Sequence, residues 1–245
     1  PGGGTGEAVP QRRLIRAAMA GAALKLSPEA RRLLADLAAF FRERVADAYV
    51  VGGCLRDALL GREGHDIDLA VDEGDTLALG RELAGAWGGH FFPLDEEAGL
   101  ARVLLPERSA QIDLQPLRGT IEEDLRLRDF TIDAMAARLA GAASGRAAVI
   151  DPTGGQADLR RHLVRVVAED AFLADPLRPL RGARLAVELG FTVEPDTADL
   201  IRRHASGPAT AAAERRRDEL MRIMATARAG EGLRLLDDLG LLEQL

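Results

Sequence analysis

The sequence predicts an α+β fold: a head built on a small mixed β-sheet, followed by an all-helical second domain. Three observations carry that prediction. Short apolar segments of strand length, bounded by Gly, Pro and Asp, crowd the stretch from Ala48 to Leu117. Beyond Ile150 nearly every segment has helical spacing. Glycines punctuate those later segments at intervals suited to helix ends. The change of character near residue 150 divides the chain into a head over 25–150 and a helical domain over 151–245.

Taken in order, residues 1–24 are rich in Gly and Ala and offer at most a short helix. Pro1-Gly2-Gly3-Gly4 has no starting Met and reads as a trimmed end rather than a signal peptide. Ser27-Pro28-Glu29 supplies an N-cap and a first-turn proline, opening a helix from Pro28 to about Val45. Ala48–Val51 and Ile67–Val71 read as strands, and Thr76–Trp87 as a helix. His90–Pro93, Ala101–Leu105 and Gln111–Leu117 complete a mixed sheet that ends near Leu139. Leu94–Ala101 reads as a loop. Helices are predicted over Gly155–His162, Asp175–Leu189, Pro195–His204, Ala213–Ala225 and Glu231–Leu239, with Gly190, Gly207-Pro208 and Gly230 between them.

Composition removes several function classes. A formal net charge of -7 argues against a protein that coats nucleic acid nonspecifically. Aromatic residues make up only 4%, too few for a stacking platform as the main mode of RNA binding. No segment approaches the roughly 18 apolar residues of a membrane span, so no membrane partner is expected. Cys54 is the only cysteine; it excludes an internal disulfide and fits a reducing cytoplasm. The four histidines (His65, His90, His162, His204) are scattered, which leaves no nucleophile–His constellation or metal-ligand spacing. Lys25 is the only lysine, and arginines slightly outnumber acids between Arg160 and Arg222. Arginine suits bidentate contacts to phosphate and base edges.

One stretch carries chemistry. Tyr49 to Asp57 runs from a strand through Gly52-Gly53 into a helix bearing Arg56 in its first turns. Such a corner lets backbone approach a phosphate and offers free N–H groups at the positive end of the helix dipole. A dozen residues on, His65-Asp66-Ile67-Asp68 sets two aspartates two apart at a strand start. The period of two puts both carboxylates on one face and turns Ile67 to the core. Two parallel carboxylates repel unless a cation lies between them, which points to magnesium. Backbone donors and a metal together can clamp a triphosphate. Asp113, on another alternating strand, is a candidate metal neighbour or base.

Gly52-Gly53-x-x-Arg56-Asp57-x-Leu59-Leu60-Gly61 followed by Asp66-x-Asp68 resembles the signature of the class II tRNA nucleotidyltransferase and bacterial poly(A) polymerase family. The likeness continues in order from about Tyr49 to Leu242. Glu123 to Ala136 is similar to the family stretch that contacts ribose and phosphates, which implies Arg128 as a phosphate contact and Asp129 and Asp133 in the nucleotide site. Leu127 stands where the family usually has a second Arg, and Asp133 where it has Asn. Asp151-Pro152-x-Gly154-Gly155-x-x-Asp158-Leu159 resembles the junction of the family's head and neck. Asp175-Pro176-Leu177-Arg178-x-x-Arg181-x-x-Arg184 resembles its base-reading helix, with Ala174 replacing the usual Glu. There Asp175 and Arg178 would read the base edge while Arg181 and Arg184 face phosphates. Glu214 to Leu220 resembles the neck segment that braces that helix.

The resemblance implies a nucleotidyltransferase-type head and helical neck that add C and/or A from CTP or ATP to the 3′ end of tRNA. In that reading Asp66 and Asp68 hold Mg2+, Gly52, Gly53, Arg56 and Arg128 bind phosphates, and the RNA hydroxyl attacks in line as pyrophosphate leaves. Complete CCA, CC alone, A alone and a poly(A) tail all fit these motifs. A catalytically silent nucleotide- or RNA-binding module is the alternative from another class, motivated by Leu127, Asp133 and Ala174. Transfer of AMP to a small molecule shares the paired-aspartate chemistry but gives no role to the arginine helix. Leu245 falls where the family's RNA-gripping body would begin, so the chain reads as a catalytic fragment. Oligomeric state is not legible.

Overall fold

The computed structural model describes residues 21–44, 47–62, 64 and 66–245. The possible helix before residue 21, the expected helix end at Val45 and the position of His65 lie outside the described residues. Among the described residues, no helix is long and apolar enough to cross a membrane. The chain forms two compact units. One holds the described residues up to Leu117 together with Ala136–Ile150; the other holds Arg118–Met135 and Asp151–Leu245.

After a two-residue strand, Ala22–Ala23, paired with Arg146–Ala147, the first unit forms helix α1 (Pro28–Glu43), capped where the Ser27 hydroxyl accepts from the Ala30 amide at 3.1 Å. It buries Leu33, Leu34, Leu37, Phe40 and Phe41, each side chain contributing roughly 1.5–3 kcal/mol of transfer free energy. Strand β1 (Asp47–Val51) then leads into helix α2 (Gly52–Leu60), and β2 (Asp66–Asp72) into α3 (Thr76–Trp87). The Asp75 carboxylate caps α3 by accepting from the Leu77 and Ala78 amides. Strands β3 (His90–Asp95), β4 (Leu100–Leu105), β5 (Ala110–Pro116), β6 (Ala136–Arg138) and β7 (Val149–Ile150) complete a seven-stranded sheet in the order β3-β4-β5-β2-β1-β6-β7. Every neighbouring pair is antiparallel except β2 with β5. The sheet is therefore mixed, as the sequence predicts. Leu94–Ala101 is no open loop: β3 and β4 reach in to leave a four-residue turn, closed by Asp95 accepting from the Ala98 amide at 2.9 Å.

Alternation along β2 and β5 positions the site. Ile67, Leu69, Val71, Ile112 and Leu114 are buried, while Asp66, Asp68 and Asp113 project from the opposite face. The parallel register pairs Asp66 with Gln111 and Asp68 with Asp113.

The second unit begins with α4 (Ile121–Arg126), which carries a full capping box between Thr120 and Glu123. It continues through a 3₁₀ turn (Thr131–Asp133) to α5 (Gly155–Arg161), α6 (Ala171–Ala174), α7 (Arg178–Leu189), α8 (Pro195–Arg203), α9 (Ala213–Met224) and α10 (Ala229–Asp238). Leu163–Val164 and Thr192–Val193 add a two-residue parallel ladder. Arg118–Met135 belongs here because its anchors do. Phe130 is fully buried beside the Phe172 ring, with centroids 6.3 Å apart. The Thr131 hydroxyl donates to buried Asp158 at 2.6 Å, and Arg165 donates to the same carboxylate at 2.9 Å. Gly155 comes so close to the Thr131 carbonyl that a side chain there would collide with it.

The arginine helix starts later than its spacing predicts. α7 begins at Arg178, and Asp175 is extended, with φ -145° and ψ 113°. Pro176 is the cause: a following proline disfavours helical backbone at the residue before it. Asp175 therefore stands ahead of the helix, its carboxylate accepting from the Leu177 amide at 3.0 Å.

Candidate functional site

The sequence-predicted residues fall into two constellations, one in each unit. In the first unit, Gly52 takes φ +64°, a backbone conformation that side chains resist, and turns the end of β1 into α2. No described side chain caps α2, so its first-turn N–H groups suit an anion. Arg56 is buried and returns over Gly53, donating to Asp57 from Nε at 2.9 Å and from Nη2 at 3.1 Å. That pair fixes the guanidinium beside the helix start.

Asp66 and Asp68 lie close to this corner, where Val50 pairs with Leu69 on the neighbouring strand, and to the Cys54 thiol. Burial, then the Asp68 carboxylate, then Asp57 and Asp66 push that thiol up to about 12. Asp66 is exposed and Asp68 half-buried on the same sheet face, a hard-oxygen donor set that fits a divalent cation with open coordination positions. Asp113 shares the face but is gripped by Arg102, whose Nε and Nη2 donate to its two oxygens at 2.8 and 2.7 Å. Among the described residues, no group of three or more His, Cys, Asp or Glu is set to hold a metal ion.

The second constellation is held by ion pairs. Arg128 donates to fully buried Asp124 at 3.1 Å, and Arg118 holds the other oxygen at 3.0 Å. Asp129 accepts from the Phe130 amide and from Arg181 Nε, both at 2.9 Å. Burial pushes the Asp129 carboxyl upward, but Arg181, Arg178 and backbone donors outweigh it and hold the group below the usual carboxylate range. Arg181 is correspondingly held more firmly protonated by Asp129, against burial, with Glu219 and Asp133 adding to the effect. Asp133 itself is buried in the 3₁₀ turn. Arg178 donates to the Ala171 carbonyl at 3.0 Å and the Leu127 carbonyl at 3.1 Å.

Arg184 departs from the expectation that it faces phosphates. It is 3% exposed and pairs with Glu219 and Glu188. The i, i+3 spacing from Arg181 gives a helical face but not what covers it, and here α9 covers it. Arg215, Glu219 and Arg222 of α9 reach Asp175, Arg184 and Glu188 respectively, three contacts on one helical stripe. Asp175 is thereby held below the ordinary aspartate range: burial opposes, while the Leu177 amide, Arg215 and Arg178 prevail.

Sequence reasoning missed Arg102, Asp124 and Arg165. Asp124 was findable, being one helical turn from Arg128. Arg102 lay on the polar positions of a predicted strand, but its partner depends on a nonlocal register.

The chain is similar to several known proteins. The family described as "Poly A polymerase head domain" matches residues 48–119 and 105–165, and "Probable RNA and SrmB- binding site of polymerase A" matches 190–245. A CC-adding tRNA nucleotidyltransferase of Geobacter sulfurreducens is 48% identical over 178 residues, covering 72% of this chain and 40% of that protein. An A-adding tRNA nucleotidyltransferase of Deinococcus radiodurans is 43% identical, covering 80% of this chain and 44% of that protein. The chain thus spans less than half the length of either relative. A Thermotoga maritima CCA-adding enzyme solved with tRNA superposes with TM-score 0.79 at 30% identity, over 90% of this chain and 53% of that one.

Proposed function

We propose that this chain, which belongs to the class II tRNA nucleotidyltransferase and bacterial poly(A) polymerase family, adds C and/or A from CTP and ATP to the 3′ end of tRNA without a nucleic-acid template. The observation that carries this reading is the Asp66/Asp68 pair on one sheet face beside the Gly52-Gly53 helix corner. Relatives named for CC addition and for A addition support the substrate class.

The first unit takes the phosphate and metal roles. The α2 amides from Gly53 onward bind phosphate oxygens, assisted by Arg56, which its pairing with Asp57 pre-orients. Asp66 and Asp68 would hold Mg2+, which supplies charge neutralisation at the α-phosphate and a lowered pKa for the RNA 3′-hydroxyl. Positioning and electrostatics are most of what in-line phosphoryl chemistry needs, so no protein nucleophile is required. The second unit takes base reading. Asp175 accepts and Arg178 donates, a pattern that complements the edges of cytosine and adenine. Arg181, aligned by Asp129, and Arg128, aligned by Asp124, add cationic contacts. Arg184 braces α7 from inside. The cytoplasm, where tRNA matures, is the compartment this activity implies.

The test supplies tRNA transcripts ending before, within or after CC, with magnesium and each labelled nucleotide singly and mixed. Incorporation restricted to C and A, and abolished in Asp66→Asn/Asp68→Asn, is the expected result. A alone on a CC end, CC alone, or long A runs would each identify a narrower product. Binding of CTP or ATP with no incorporation on any RNA end would overturn the reading for this chain.

A further inference from the structure

We infer that Arg102 is a built-in counter-cation for Asp113, a positioning residue that keeps the metal-facing carboxylates at two and leaves the remaining coordination positions to phosphate oxygens and water. This rests on the reading of Asp66 and Asp68 as metal ligands.

The backbone register builds the arrangement. Arg102 pairs directly with Asp113 across β4 and β5, and Asp113 pairs directly with Asp68 across β5 and β2. Directly paired residues project from the same face, so guanidinium and two carboxylates form one row across three strands. The grip on Asp113 is two-pronged, at 2.8 and 2.7 Å, the short geometry of a charge-assisted fork. The Gln111 amide, oriented with its oxygen toward Arg102, accepts from the same two nitrogens at 3.2 and 3.0 Å and fixes the fork further. The Asp113 hydrogen bond holds Arg102 more firmly protonated, against burial, and the fields of Asp66 and Asp68 add to it. The guanidinium therefore sits within electrostatic reach of all three acids.

Charge counting gives the consequence. The Arg102 guanidinium offsets the Asp113 charge, which leaves the proposed divalent cation to Asp66 and Asp68. Magnesium is commonly bound by one or two carboxylates plus substrate phosphates, because it sheds its waters reluctantly. A third available carboxylate would favour metal without nucleotide and occupy a position the triphosphate needs. By holding Asp113, Arg102 makes metal and nucleotide bind together.

The experiment measures Mn2+ binding by the fall of the free-ion paramagnetic resonance signal, with and without CTP. Wild type is compared with Arg102→Met, Arg102→Lys, Arg102→Met/Asp113→Asn and Asp66→Asn/Asp68→Asn. Arg102→Met is expected to tighten Mn2+ about tenfold without CTP, since ligand charge count sets such affinities. Adding Asp113→Asn returns the affinity to the wild-type level. Arg102→Lys, which keeps the charge but not the fork, tightens it less. CTP strengthens Mn2+ binding more in wild type than in Arg102→Met. Unchanged or weaker Mn2+ binding in folded Arg102→Met, with wild-type binding still dependent on Asp66 and Asp68, overturns the role of Arg102 alone. Wild-type binding indifferent to Asp66→Asn/Asp68→Asn, with CTP present, overturns the metal reading and this inference with it.

Discussion

The two units solve opposite electrostatic problems. In the first, Asp66, Asp68 and Asp113 share one sheet face, and Arg102 grips Asp113 from the neighbouring strand. In the second, charges alternate. Arg222, Glu188, Arg184 and Glu219 form one chain of pairs, while Arg181–Asp129 and Arg215–Asp175 form others. In the proposed function a divalent cation completes the carboxylates of the first unit. In the proposed function the second unit meets an uncharged base edge, which brings no charge of its own. Its arginines must be held by the protein's own acids if they are to point one way.

The largest effect that comparison predicts is at Asp68. Asp68→Asn removes one of the two carboxylates that hold the metal in the function proposed above. Metal-type charge stabilisation is worth several kcal/mol, which at about 1.4 kcal/mol per tenfold corresponds to a loss of transfer rate of about a thousandfold. The melting temperature should change little. Rate assays with matched unfolding curves check both halves, and a cooperative loss of fold would break the contrast between the units.

Second in size is Glu219. Glu219→Ala leaves buried Arg184 with Glu188 as its remaining partner and an unfilled space on the α9 side, so the cost approaches the lower end of the about 3–5 kcal/mol for breaking a buried pair. Urea unfolding should show that loss, with most of it recovered in Arg184→Met/Glu219→Leu, where apolar side chains replace both charges. Failure of the double variant to recover would mean the charges themselves, and not the filled space, specify how α7 meets α9.

Much of this was legible in the sequence, and the exceptions share a cause. Strand and helix positions came from local alternation and caps, so Thr76–Trp87 appears where its spacing puts it. Asp66 and Asp68 were legible because a two-residue period is a statement about one strand alone. Register is a statement about two strands, so the row Asp68–Asp113–Arg102 could not be read. Likewise nothing local says that Phe130 belongs with Phe172 or that Arg118–Met135 joins the second unit. Asp175 is different: the proline after it already argued against a helical backbone, and the family-like i, i+3 spacing masked that signal.

A third prediction concerns acid. Asp129 is held below the usual carboxylate range in the folded protein, so it binds protons less readily folded than unfolded. Its contribution to stability is therefore fully present above the unfolded value of about 3.9 and is lost as pH falls through the lower folded value. Unfolding free energy of wild type followed between pH 6 and 2 should fall along a limb that Asp129→Asn flattens. At neutral pH that substitution should cost about 2 kcal/mol, the scale of a hydrogen bond to a charged group. An unchanged acid limb would show that Arg181 is aligned by something other than Asp129.

The smallest effect sharpens the comparison most, because it holds geometry constant. Arg138 donates to Asp47 at 2.7 Å, a distance as short as those in the second unit, and its guanidinium lies 5.3 Å from the Tyr49 ring. Both side chains are about three-fifths exposed. Water solvates the separated ions almost as well as they solvate each other, and ordering two mobile side chains costs entropy, so such a pair is worth roughly 0–1 kcal/mol. Asp47→Asn should shift stability by no more than that, and the shift should shrink further in 0.5 M salt, where exposed charges are screened. Glu219→Ala should keep its full cost in the same salt, since the enclosed Arg184 is out of reach of mobile ions. Equal salt sensitivity of the two variants would mean that the second unit opens its charged interior to solvent, and the rigid arginine scaffold inferred from its pairs would not hold.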